Sequence, residues 1–224
     1  MMSEYLNISK TLKGKFPGLN VEIVTFRGVE VQEESVELEK YKGQVTSEIM
    51  GQWKLDDLRE HPQFRAYRDF FWKLGIDPTK TRPASEALIR RILRGRSLFK
   101  INTFVDAYNL VSMKAAIPIA SFDEYSLIGD IYMREAEPGE EFLGIAMKKP
   151  ITLKGGEAVI EDDEKLVAIY PYRDADASKV TLATRDVKML MCGAPGINLE
   201  ALTEAGVLAG KILTRFCGGE VISS

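Results

Sequence analysis

The side chains best suited to chemistry lie between Lys80 and Asp123, and they fall into two kinds. From Lys80 to Lys100 seven basic residues (Lys80, Arg82, Arg90, Arg91, Arg94, Arg96 and Lys100) stand against one acid, Glu86. Arginine forks match phosphate oxygens two at a time, so Arg82, Arg90, Arg91, Arg94 and Arg96 are candidates for holding an RNA backbone. Cations in the last turn of a helix are also favoured by its macrodipole, and arginine stems cover apolar surface, so a structural role for the same residues stays open. The second kind is polar and uncharged or acidic: Asp106 and Asn109, three apart on one expected helix face, then Ser112, Ser121 and Asp123. A few polar groups in an apolar pocket are what recognition of an amino-acid moiety requires. The competing reading is that Asp106 and Asn109 pin loop backbone and that the Ser and Asp residues form turns.

Other chemical templates fail. The single histidine, His61, precedes a proline and has no serine or cysteine nucleophile in a recognisable arrangement. Asp174-x-Asp176-x-Ser178 begins like a calcium loop but has Lys179 and Arg185 where glycine and glutamate belong, and is expected to be an ordinary loop. The run Glu161 to Glu164 between two apolar segments is expected to be a solvated turn. Cys192 and Cys217, without a C-x-x-C pair, are expected to be buried thiols. No phosphate-binding or dinucleotide fingerprint occurs, so no cofactor and no metal are expected.

The elements that must position these residues follow from periodicity. Residues 19–31 suit one strand bent at Gly28, placed at a sheet edge. Helical spacing runs over 36–61, then 63–74 with Gly75 as its stop, then 83–94 with Gly95 past its end. Asn102 is placed to cap a helix reaching Met113, followed by a loop from Pro118 to Asp123. From residue 127 strands dominate, in LIGDIYMREA, FLGIAM, AVIED, KLVAIYPYR, KVTLATRD and VKMLMC, and a last helix spans 199–216. Helices first and mostly antiparallel strands later predict α+β. The 224 residues, 45% hydrophobic and 28% charged, suffice for one domain, with 1–62 as an N-terminal strand and helix extension. Thirty basic against 33 acidic side chains give a net charge of −3, which excludes a protein that coats nucleic acid non-specifically, and no DNA partner is expected. The first ten residues have no basic segment leading into an apolar run, so the expected compartment is the cytoplasm, with no membrane contact.

Three ordered motifs carry a resemblance. Residues 101–123 fit I-N-x-x-V-D-x-x-N-x-V-x(6)-P-x-x-x-F-D, residues 134–162 contain R-E-A-x-P-G-E-E-F and G-G-E-A-V-I-E-D, and residues 178–193 read SKVTLATRDVKMLMCG. Together they resemble the editing (B3/B4) domain of the phenylalanyl-tRNA synthetase β subunit, in a free-standing version. The resemblance implies a barrel-like sheet and hydrolysis of mischarged aminoacyl-tRNA in trans. The tRNA acceptor end would lie on the basic face, with Asn109, Thr184 and Asp123 at the ester. Asp106, Ser112, Ala120, Ser121, Arg185 and Leu190 would surround the amino acid. Two positions depart from the family: its editing-site histidine corresponds to Ala120, and the glutamate that reads a tyrosine hydroxyl corresponds to Leu190. An apolar pocket sorts by methylenes only about 10 to 200-fold, so an ester other than tyrosyl is expected. Two further classes fit the same residues: a tRNA- or protein-binding module without chemistry, and a small-molecule enzyme or amino-acid sensor.

Overall fold

Tyr67 and Tyr170 fasten the middle of the structure, their hydroxyls donating to the carbonyls of Cys192 (2.7 Å) and Gly193 (2.5 Å). The computed structural model describes residues 4–222. Its helices are α1 (Lys10–Lys15), α2 (Val36–Gln52), α3 (Pro62–Lys73), α4 (Ala84–Leu93), α5 (Thr103–Ala115) and α6 (Leu199–Cys217). Its strands are β1 (Glu4–Tyr5), β2 (Asn7–Ile8), β3 (Val21–Arg27), β4 (Ile119–Asp123), β5 (Tyr132–Glu135), β6 (Glu141–Phe142), β7 (Ile151–Thr152), β8 (Ala158–Glu161), β9 (Leu166–Ile169), β10 (Arg173–Asp174), β11 (Val187–Cys192) and β12 (Glu220–Ile222). Short 3-10 turns occupy Glu124–Ser126 and Asp176–Ser178.

The expected α+β arrangement is present, with strands in two open five-stranded sheets and a β6-β7 ribbon in place of one closed barrel. The first sheet runs β1-β3-β11-β4, with β12 also on β3, all antiparallel. The second runs β10-β9-β8-β5-β2 and is antiparallel except where β2 meets β5. The first 62 residues thus supply strands to both sheets. Helices α5 and α6 pack together, and α6 lies on β3, where Gly206 brings its backbone close to Val24. Leu110, Val111, Leu202 and Leu213 meet Phe26, Met189 and Met191 in the main core, while Phe142, Leu153, Val159 and Ile169 form a smaller one under the second sheet. At Gly193 a side chain is impossible, because a Cβ would overlap the Asn20 carbonyl.

Caps explain where helices begin. Ser9, Ser35, Asn102 and Asn198 each accept an N–H from their own first turn, and Pro62 opens α3 where its missing N–H costs nothing. Gly75 and Gly95, both with positive φ, follow α3 and α4 as the periodicity predicts.

Several boundaries differ from the sequence expectation. The helical pattern over 36–61 stops at Gln52, and Trp53 is extended. Strand β3 is flanked on both sides and is not an edge; it ends at Arg27, where Gly28 turns at φ 66°. Pro118 to Asp123 is not a loop. Residues 119–123 form edge strand β4, and Pro118, which lacks an N–H to donate, offers its carbonyl to Cys192 N. KVTLATRD is not a strand, because Thr184 Oγ1 accepts the Thr181 N–H (2.9 Å) and folds the segment into a turn. FLGIAM keeps strand pairing at Phe142 and a single antiparallel bridge from Gly144 to Ala175. Cys192 and Cys217 are buried free thiols, as expected. Among the described residues no helix is long and apolar enough to cross a membrane.

Candidate functional site

Helix α5 and strand β4 carry most of the residues singled out above, and the structure distributes them over different jobs. Asp106 is buried and fully engaged: one oxygen accepts from Lys42 Nζ (2.9 Å), the other from the Ile101 N–H (3.0 Å). Those contacts tie α2 and the 94–102 segment to α5. Ser112 donates to the Ile117 carbonyl (2.7 Å) and closes the helix end. Asn109 is half-buried on the turn after Asp106.

On β4 the pleat separates neighbours. Ala120 pairs directly with Leu190 and Ser121 with Met189, so Ala120 and Leu190 share one face while Ser121 and Asp123 point to the other. Asp123 and Thr184 are brought together, Thr184 Oγ1 donating to Asp123 Oδ2 at 2.7 Å. The same carboxylate caps the following turn through the Tyr125 N–H (3.1 Å). Arg185 folds back onto the carbonyls of Leu182 (3.0 Å) and Thr184 (2.8 Å). This clasp ties the end of β4 to the loop that enters β11.

One residue at the edge of β4 was passed over in the sequence because it sits in the failed calcium pattern. Asp174, in β10 of the second sheet, has its carboxyl near the backbone N–H of Ser121. It is half-buried, and that burial lifts its pKa to about 7 against the opposing pull of the Ser121 N–H and of Arg173. The Tyr108 phenol from α5 meets the Ser121 hydroxyl, and burial raises its pKa also. Tyr108, Ser121 and Asp174 therefore come from a helix and both sheets to one point, beside Asn109. A carboxyl that titrates near neutrality, in reach of hydroxyl and N–H donors, can take or give a proton at working pH. Only the raised ionisation marks it, which depends on what β4 and α5 place around it.

The basic residues form a cavity of about 310 Å³ lined by Lys80, Arg82, Arg90, Arg91, Arg94, Arg96 and Phe99 among others. They are not equivalent. Arg90 Nε and Arg68 Nη1 both hold Glu86 Oε1, at 2.6 and 2.7 Å, and Glu86 is fully buried, so Arg90 belongs to an internal ion cluster. Arg91 donates to the Ser97 carbonyl (2.5 Å) and lies 3.9 Å from the centre of the exposed Phe99 ring. Arg94 and Arg96 are exposed.

A larger cavity, about 630 Å³, carries Asp130, Glu140, Glu141, Glu161 and Asp162. Its charges are answered in part: Arg134 holds Glu140 and Glu161, and Lys165 holds Asp162 (2.6 Å), while Asp130, Glu141, Asp163 and Glu164 line the same cavity without an ion pair among the described residues. Asp162 is not solvated as expected but buried; burial works against its ionisation, and Lys165 with three backbone N–H groups more than compensates. Among the described residues no group of three or more His, Cys, Asp or Glu could hold a metal ion. His61 caps α3 and stacks edge-on against Trp53, with ring centres 4.8 Å apart.

Comparison with known proteins supports the architecture. Residues 66–214 match the family profile described as "B3/4 domain". The phenylalanine–tRNA ligase β subunit of Psychrobacter arcticus is 33% identical over 114 residues, covering 50% of this chain and 14% of that protein. That of Fusobacterium nucleatum is 37% identical over 112 residues, again 50% and 14%. This chain thus aligns with only about a seventh of those relatives. An N-terminal fragment of the phenylalanyl-tRNA synthetase β subunit from Pyrococcus horikoshii superposes with a TM-score of 0.50 at 15% identity, over 99% of this chain and 52% of that one. With two open sheets, packed α5 and α6, and a profile match across most of its length, the chain belongs to the B3/4 domain family.

Proposed function

We propose that the protein hydrolyses the ester of a mischarged aminoacyl-tRNA in trans, with Asp174 as the general base. The observation that carries this reading is the Asp174 carboxyl, held near pKa 7 at the Ser121 N–H on the edge of β4. An aminoacyl ester is already reactive, so positioning a water and supplying donors around the carbonyl suffices without a triad. Ionised Asp174 takes a proton from the attacking water as the oxygen bonds to the ester carbonyl. The proton then passes to the departing ribose oxygen, leaving a free amino acid and a tRNA hydroxyl. Tyr108 of α5, near Ser121, stands as a donor for the developing oxyanion, and Asn109 follows it on the same helix. Asp123 and Thr184 hold the two loops that frame this edge. The basic cavity receives RNA phosphate, and the accepted side chain is small or apolar, since Leu190 stands where the family has the glutamate that reads a tyrosine hydroxyl and leaving that hydroxyl unpaired costs about 1 to 3 kcal/mol.

The mutual engagement of Asp123 and Thr184 favours a second reading, a tRNA-binding module without chemistry. A panel of mischarged tRNAs incubated with wild type, Asp174→Asn and Asn109→Ala separates the two. Hydrolysis of small or apolar esters that collapses in Asp174→Asn supports the deacylase. Hydrolysis of no ester leaves the binding module, and a preference for tyrosyl-tRNA would overturn the specificity argument.

A further inference from the structure

The cations of the 80–99 segment line one compact cavity, where a running strand would call for an extended row. They come from three segments: Lys80 and Arg82 from the connection into α4, Arg91 from its last turn, and Arg94 and Arg96 from the chain beyond it. The cavity of about 310 Å³ falls at the small end of ligand sites, which span about 300 to 1,000 Å³. Its described lining has six cations and no acid; Arg90 is taken up by Glu86, Lys80 lies 3.9 Å from Asp77 and Arg91 donates to the Ser97 carbonyl, while Arg82, Arg94 and Arg96 have no ion pair among the described residues. Arg82 Nε is buried and has no hydrogen-bond partner in the protein. Buried donors are nearly always paired, so the Arg82 guanidinium, with no protein acceptor at Nε, is not committed to an internal ion pair as Arg90 is.

We infer that this cavity is a specific site for a terminal phosphate monoester carried on a nucleotide, and not a general track for phosphodiester backbone. A phosphate monoester brings about −1.5 to −2 charges and three terminal oxygens, whereas a diester brings one charge and two. That matches a set of converging forks better than an internal phosphate does. Phe99, exposed and already faced by Arg91, with Leu88 beside it, supplies the apolar wall on which a terminal base or ribose rests. The same chemistry has two sources, the 5′-phosphate at an RNA end and a free mononucleotide. The first deepens the tRNA reading, because the 5′-phosphate of a tRNA lies at the same acceptor end as the ester. The inference itself stands without that reading.

The test measures binding of two matched pairs at fixed salt: an acceptor-stem RNA hairpin with a 5′-phosphate or a 5′-hydroxyl, and adenosine monophosphate or adenosine. Wild type is expected to prefer the phosphorylated member of at least one pair by tenfold or more. Preference in the hairpin pair alone assigns the site to an RNA end, and preference in the mononucleotide pair alone assigns it to a free nucleotide. Arg82→Gln and Arg96→Gln, each with a far-ultraviolet dichroism spectrum matching wild type, are expected to erase the preference; Arg90 is left alone because it holds Glu86. Equal binding within both pairs, or a preference that survives the Arg82→Gln, Arg96→Gln double variant, overturns the inference. Hydrolysis of mischarged tRNA is followed on the same preparations. A phosphate preference without hydrolysis defeats only the deacylase, and hydrolysis without a phosphate preference defeats only the cavity.

Discussion

Glu86 and Asp174 are both carboxyl groups drawn out of water, and their surroundings give them opposite characters. Glu86, on the first turn of α4, receives Arg68 and Arg90 on one oxygen, so two cations answer its charge although its other oxygen is buried without a partner among the described residues. Asp174 has no ion pair among the described residues; beside it is the neutral N–H of Ser121, and burial prevails, lifting its pKa to about 7. The difference teaches that desolvation makes a reactive group only where compensation is withheld. A compensated carboxylate fastens structure, here α3 to α4 below the basic cavity.

The sharpest way to test this contrast is to neutralise each group in turn. Asp174→Asn is expected to slow ester hydrolysis by about 100 to 10,000-fold, the range of a lost general base, with tRNA binding nearly unchanged. In wild type, kcat/KM should rise with pH through a midpoint near 7 as the carboxyl ionises, and the variant should lose that midpoint. Retained turnover in Asp174→Asn would show the uncompensated carboxyl to be idle.

Glu86→Gln should behave in reverse. It leaves two partly buried guanidinium groups without their anion and is expected to cost about 3 to 5 kcal/mol of stability in urea unfolding. Turnover per folded molecule should hold. A neutral effect on stability would break the comparison from the other side.

Asp123 is the intermediate case, its carboxylate met by a hydroxyl. Thr184→Val removes the Oγ1 that serves both Asp123 and the Thr181 N–H, and is expected to destabilise by about 1 to 3 kcal/mol. Loss of activity much beyond the loss of folded protein would promote Thr184 from clasp to chemistry.

A further expected effect is on stability against pH. The folded pKa of Asp174 lies above the unfolded value near 3.9, so the folded state binds more protons between those limits. Its contribution is fully favourable below about pH 4 and is lost as pH rises through 7. Melting curves of Asp174→Asn should therefore decline less than wild type between pH 4 and 7, and parallel declines would show that the carboxyl is solvated.

Much of the local structure follows from short-range chemistry that a sequence displays. Asn102 caps α5, Gly75 and Gly95 end α3 and α4, and the apolar spacing of 199–216 yields α6, because each depends on neighbours within a turn. The order of the three motifs was likewise enough to indicate the B3/4 family. What tertiary structure decided was partnership across the chain. Whether β3 is edge or centre depends on β11, 160 residues later, and Pro118 to Asp123 becomes a strand only because β11 offers it a ladder. Neighbours on β4 parted by pleating, so Ala120 and Ser121 face opposite ways even though their positions are adjacent. The ionisation of Asp174 was invisible for the same reason. It arises from the water excluded when β10 meets Ser121 and Tyr108, and no residue near Asp174 in sequence records that exclusion.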